Sequence, residues 1–136
     1  MIQNLFPNIA VNDLVKSRAF FEALGFHFNK QFSDEKGACL VLGQHQFVML
    51  LTPGFMKGYT HKPISYGKDS TEVLMSCMLE SKDAVNEIVD KAVKLGAKEY
   101  NPANDLGFMY TRVFEDFDGH QWEWAWMDTA QFDSNE

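Results

Sequence analysis

Two groups able to do chemistry stand in one aromatic stretch near the end of the chain. The segment GFMYTRVFEDFDGHQWEWAWM, starting at Gly107, carries Arg112 and Glu123 on either side of Asp118-Gly119. A carboxylate buried without a partner costs several kcal/mol, so Glu123 needs a cation, a metal or a raised pKa that leaves it neutral. Either Arg112 supplies the charge in a structural pair, or Glu123 is a functional carboxylate.

The stretch itself reads as a hairpin. Asp-Gly between two runs of aromatic and β-branched residues is a strong two-residue turn signal, because both turn positions must tolerate positive φ. With the turn centred there, Phe117 faces His120, Phe114 faces Glu123 and Arg112 faces Ala125. Alternation then puts Phe108, Tyr110, Arg112, Phe114, Gln121, Glu123 and Ala125 on one face, with Arg112 diagonal to Glu123. Trp122, Trp124 and Trp126 fall on the other face, with Met109, Thr111 and Val113, and pack beneath the helices.

Other chemistry is thinner. His27, His45, His61 and His120 show no ligand spacing, and His61 becomes interesting only if its loop closes over a site. Cys39 and Cys77 sit in apolar runs without a CxxC spacing or an adjacent base, as reduced core thiols do. Nucleophile-elbow, P-loop and dinucleotide fingerprints are missing from the 136 residues.

The elements that position these groups come in a repeating order. Residues 3–11 read as a strand with Pro7 at an edge or bulge. Asp13 then caps a helix whose face is Val15, Ala19, Phe20 and Leu24, stopped by Gly25. Three strands follow, 26–32, 38–42 and 46–52. After a loop over 53–70 that carries Phe55, Met56, Tyr59, His61 and Tyr66, the order starts again. Residues 72–79 form a strand, and Ser81 caps a helix with Val85, Ile88, Val89, Ala92 and Val93 on its apolar face. Residues 97–100 form a short strand, 101–106 a loop, and the hairpin ends the set. Leu24-Gly25 and Leu95-Gly96 lie 71 residues apart. Such a period suits a duplicated half-domain, each half burying a face that it cannot cover alone. We expect one domain over 1–136, with module one about 1–52, the loop 53–70 and module two about 71–128, and a ligand between the sheets.

Composition narrows the partners. A net charge of −7 with no Lys/Arg cluster would repel a phosphate backbone and an anionic membrane alike, which argues against nucleic acid. No apolar run reaches the ~20 residues of a membrane span, and the start of the chain lacks a signal-peptide pattern. We therefore expect a cytoplasmic protein without a membrane partner. Aromatic residues make up 14% of the chain, enough to line an apolar cavity as well as fill a core.

Two motifs carry a resemblance over nearly the whole chain. AVNDLVKSRAFFEALGF is similar to the opening V-x-D-L-x-x-S-x-x-F-Y-x-x-L-G-F, and FEDFDGHQWEW to the closing D-P-D-G-x-x-x-E, of the vicinal oxygen chelate superfamily. That group includes glyoxalase I, extradiol dioxygenases, and the bleomycin and fosfomycin resistance proteins. The resemblance implies an α+β fold: two βαβββ modules pairing into an incomplete eight-stranded barrel, helices outside, with a cup that in the enzymes holds a divalent metal on His and Glu. It also implies a homodimer.

Of the metal-ligand positions that the resemblance implies, only Glu123 carries a ligand side chain. The others fall on Phe6, Leu50 and Leu74, which cannot bind a metal. The first expectation is therefore a small-molecule-binding member without the conventional metal site and without a cofactor. Phe108, Tyr110 and Phe114 would make an apolar wall, Arg112, Glu72, Glu123 and Asn8 would orient polar groups, and the small Ala125 would leave room. The alternative is a divalent-metal-dependent lyase, isomerase or dioxygenase, because Asn8 and Glu72 each lie two residues from a missing ligand and could join Glu123 in a displaced oxygen site. A third possibility is an interaction module with no cup.

Overall fold

The computed structural model describes residues 1–131, which divide into two compact units, Met1–Tyr66 and one beginning at Gly67. The units share one topology. In the first, strand β1 (Asn8–Ala10), helix α1 (Leu14–Ala23) and strands β2 (His27–Asn29), β3 (Gly37–Val41) and β4 (Phe47–Leu51) build a sheet in the order β1-β4-β3-β2. In the second, β5 (Leu74–Met78), helix α3 (Lys82–Lys94), β6 (Asn104–Asp105), β7 (Met109–Glu115) and β8 (Gln121–Met127) repeat it as β5-β8-β7-β6. In each sheet one pair is parallel, β1 with β4 and β5 with β8, and the rest are antiparallel. The α+β class and the duplicated βαβββ order stand as the sequence implied.

Helix boundaries follow from their caps. Asp13 accepts from the Lys16 amide at 3.0 Å and Ser81 from the Ala84 amide at 3.0 Å, each satisfying a first-turn donor. Both helices stop where glycine takes a positive φ, Gly25 at 104° and Gly96 at 112°. Helix α3 buries Val85, Ile88, Val89 and Ala92, as its periodicity predicts, but leaves Val93 exposed. Helix α1 is rotated from the expected face: Leu14, Ser17, Phe20 and Phe21 are buried, with Leu24 just beyond, while Val15 and Ala19 are exposed. Leu14 and Phe21 remove more apolar area from water than Val15 and Ala19, and that difference decides the rotation.

Strand expectations need three changes. Residues 3–11 shrink to Asn8–Ala10 with an isolated Leu5–Gln46 bridge, since Pro7 has no N–H to continue a ladder, although its carbonyl accepts from Met49 at 2.7 Å. Residues 97–100 make only the Lys98–Glu115 bridge, and β6 forms instead at Asn104–Asp105, inside the expected loop. The expected loop 53–70 opens with one helical turn, α2 (Pro53–Met56), which starts at a proline whose missing N–H costs nothing there.

The hairpin register is the change that matters most for function. Observed pairs are Arg112 with Trp124, Val113 with Glu123 and Phe114 with Trp122, one residue away from the expected ones. The loop holds three residues, Phe117, Asp118 and Gly119, closed by the Asp116 amide donating to the His120 carbonyl at 3.0 Å. Asp116 organises it: one carboxylate oxygen accepts from the amides of Asp118 and His120 at 2.9 and 3.0 Å, and the other from the Trp122 indole at 3.0 Å. Gly119 alone takes positive φ, 83°, as the last residue of a three-residue loop requires. A one-residue slip exchanges the faces of one strand relative to its partner.

Candidate functional site

The second sheet has one face turned to α3. Tyr110 donates to Asn86 of that helix at 2.6 Å, and Arg112 donates to Asn86 and Asp90 at 3.0 and 2.9 Å. Phe114, Trp122 and Trp124 share this face and are fully buried, with the Phe114 and Trp124 rings stacked 5.9 Å apart and those of Trp122 and Trp124 6.0 Å apart. The tryptophans thus form core beneath a helix, as expected. Phe114 is core as well and cannot be a wall for a ligand.

Arg112 belongs to this helix-facing layer. Its side chain is 12% exposed and meets Glu99 through two bonds, Nε and Nη2 each at 2.9 Å from one carboxylate oxygen. Glu99, followed by Asp90, raises the Arg112 pKa and keeps the guanidinium charged, against the opposing effect of burial. Asn86 and Asp90, four residues apart, share one face of α3 and so meet Arg112 together. Lys82, at the start of the same helix, lies over the rings of Tyr110 and Trp126 at 5.9 and 5.4 Å and reaches Asp105 at 3.5 Å.

Glu123 points the other way, because it alternates with Trp122 and Trp124. The diagonal Arg112–Glu123 pair, one of the two readings of the sequence, is therefore absent: the two charges occupy opposite faces of the hairpin. Ala125 stays on the Glu123 face but pairs with Thr111 rather than Arg112. Parallel pairing with β5 brings Ser76 opposite Glu123, and the Ser76 hydroxyl donates to Glu123 Oε1 at 3.0 Å. Leu74 and Met78 flank Ser76 on this face, 58% and 56% exposed. Gln121 accepts from the Thr71 hydroxyl at 3.1 Å and donates to Glu115 at 3.2 Å. Glu123 has no cation within ion-pair distance among the described residues. Ser76 lay unmarked in the sequence, since only the parallel register brings it to the carboxylate.

The remaining candidates are placed as follows. Leu74 lies on the Glu123 face, two positions from Ser76 along β5, while Glu72 is exposed ahead of that strand. Phe108 is exposed just before β7, its carbonyl accepting from the Asp128 amide at 2.7 Å. In the first unit, Asn8 is exposed and its amide turns back to the Phe6 carbonyl at 2.7 Å, while the Phe6 ring stacks on Phe47 at 4.7 Å. Leu50 is fully buried and alternates with Met49. Among the described residues no group of three or more His, Cys, Asp or Glu side chains could hold a metal ion.

Comparison with known proteins agrees with this architecture. Residues 3–43 match the family described as Bleomycin resistance protein-like N-terminal. A hypothetical protein from S. aureus is 27% identical, with a TM-score of 0.78 over 92% of this chain and 94% of its own. A glyoxalase/bleomycin resistance protein/dioxygenase family enzyme from Burkholderia phytofirmans is 18% identical, with a TM-score of 0.74 over 90% and 96%. A fosfomycin resistance protein from Listeria monocytogenes is 19% identical, with a TM-score of 0.69 over 93% and 94%. No curated protein matches the sequence.

Proposed function

We propose that this chain, a member of the vicinal oxygen chelate superfamily, binds a small molecule on the Glu123 face of its second sheet without a metal. One observation carries the reading: Glu123 is half-buried, accepts from Ser76 and has no cation beside it among the described residues. Its Oε2 atom takes no hydrogen bond from the described side chains and is left to accept from a ligand. A half-buried carboxylate gains most from a donor that arrives with its own apolar surface, since both are desolvated together. Leu74 and Met78, exposed on either side of Ser76, offer the matching apolar surface. The ligand is therefore a small planar molecule with at least one N–H or O–H donor.

The divalent metal of the superfamily does not fit the residues present. Phe6, Leu50 and Leu74 offer carbon where ligands are needed, and the lone carboxylate of Glu123 is already engaged by a serine hydroxyl. Glu72, exposed ahead of β5, is proposed as a further ligand contact. The reading also includes one domain made of both units, a homodimer and a cytoplasmic setting. No described helix is long and apolar enough to cross a membrane.

A thermal-shift screen of planar amines, phenols and amides tests the proposal. Compounds that bind only the folded chain raise its stability by about 2.7 kcal/mol at a hundred times their Kd. Hits that lose their shift in Glu123→Gln and weaken in Ser76→Ala support it. Hits indifferent to Glu123→Gln, or stoichiometric metal that disappears in Glu123→Ala, refute it.

A further inference from the structure

Glu123 lies in a row of side chains that crosses the second sheet on one face. Ser76 pairs with Glu123, and Glu123 with Val113. On the far side of β7, Lys98 bridges Glu115, which lies two positions from Val113 and shares its face. Tyr100 follows two positions after Lys98. Alternation turns Tyr100 to the Glu123 face as well, while Glu99 between them meets Arg112 on the other. The electrostatics agree with that placement. Burial first, and then Glu115 and Glu123, raise the Tyr100 pKa, so the phenol senses both carboxylates and stays protonated.

The two ends of the row offer complementary groups. Tyr100 is half-buried, and its hydroxyl has no hydrogen-bond partner among the described residues. Glu123 accepts from Ser76 through Oε1 and keeps Oε2 for an incoming donor. Between them stands Val113, half-buried and shorter than either neighbour, so a flat ring can lie across it.

Strand spacing sets the size of that ring. Adjacent strands lie ~4.8 Å apart and side chains stand roughly perpendicular to a sheet, so groups two strands apart are separated by ~10 Å. Two hydrogen bonds of ~2.9 Å take about 6 Å of this and leave ~4 Å for the ligand, the distance from a ring N–H to a carbonyl on the opposite edge. Glu115 and Glu123 together disfavour an anion on this face.

We propose, resting on the metal-free Glu123 ligand face, that Tyr100 is the second recognition residue of that site and that the ligand is a flat heterocycle: its ring N–H donates to Glu123 and a carbonyl on its opposite edge accepts from Tyr100. The probe is γ-pyridone, beside N-methyl-γ-pyridone, which lacks the donor, and pyrrole, which lacks the carbonyl, in amide-detected NMR titrations of the full chain. Millimolar γ-pyridone should shift the amides of Ser76, Tyr100, Val113 and Glu123, and bind more tightly than either relative. Tyr100→Phe should weaken γ-pyridone about three- to tenfold, the range for one hydrogen bond, and leave pyrrole unchanged, a selectivity that a structural role for Tyr100 would not produce. No shift at these residues, or γ-pyridone binding no better than its relatives, overturns the ligand class. An affinity unchanged in Tyr100→Phe but lost in Glu123→Gln overturns the role of Tyr100 and leaves the Glu123 face standing. Binding of all three compounds that is indifferent to Glu123→Gln overturns both.

Discussion

Residues in this protein are read by what each charge touches. One of the two readings of the sequence had Arg112 neutralise Glu123, yet its partners are Glu99, Asn86 and Asp90. Which carboxylates meet Arg112 was set by the fold. Replacing Arg112 with alanine strands Glu99, and breaking a buried pair from one side costs about 3–5 kcal/mol. Urea unfolding should show that loss, while Asp90→Ala, whose carboxylate is 62% exposed, should cost less than about 1 kcal/mol. Equal losses in the two variants would contradict the assignment. Burial pushes the Cys77 thiol up to about 11. The thiol form is then favoured below that pH and the reactive thiolate appears only as pH rises through it. Iodoacetamide should label Cys77 of the native protein slowly at pH 8 and much faster toward pH 11, whereas fast labelling at pH 8 would place the thiol elsewhere.

At the scale of elements, the hairpin shows what sequence pattern can and cannot specify. Both strands and the turn were legible, because Asp118-Gly119 between aromatic runs has few other readings. The register was not, since Asp116 makes three hydrogen bonds that draw one more residue into the loop. Composition does not encode those bonds, and the single-residue slip moved Tyr110, Arg112 and Phe114 away from Glu123. The turn also packs closely on its own unit: a Cβ on Gly119 would meet the Gly67 carbonyl carbon and the Lys68 nitrogen at 2.7 Å. Gly119→Ala combines that clash with a strained positive φ, so a loss of at least about 1–3 kcal/mol is expected in thermal or urea unfolding. A variant as stable as the parent would mean that Gly67 and Gly119 are not in contact. Asp116→Ala should destabilise by a similar amount through the three orphaned donors.

Taken whole, the chain was legible through its duplication. Two amphipathic helices ending in Leu-Gly, each followed by short strands, were enough to give two βαβββ modules, and the structure shows the same strand order in both. The candidate site was less legible. Glu123 was visible as a carboxylate among aromatics, but Ser76 depends on a parallel register that no local pattern announces. The most direct test of a metal-free ligand face is a thermal-shift screen of planar donor compounds on chelator-stripped protein, wild type beside Glu123→Gln. The account predicts hits on stripped wild type that lose about tenfold or more in affinity in the variant, the scale of a charge-assisted hydrogen bond. Hits that appear only after a divalent metal is restored, or that bind Glu123→Gln equally well, would contradict it.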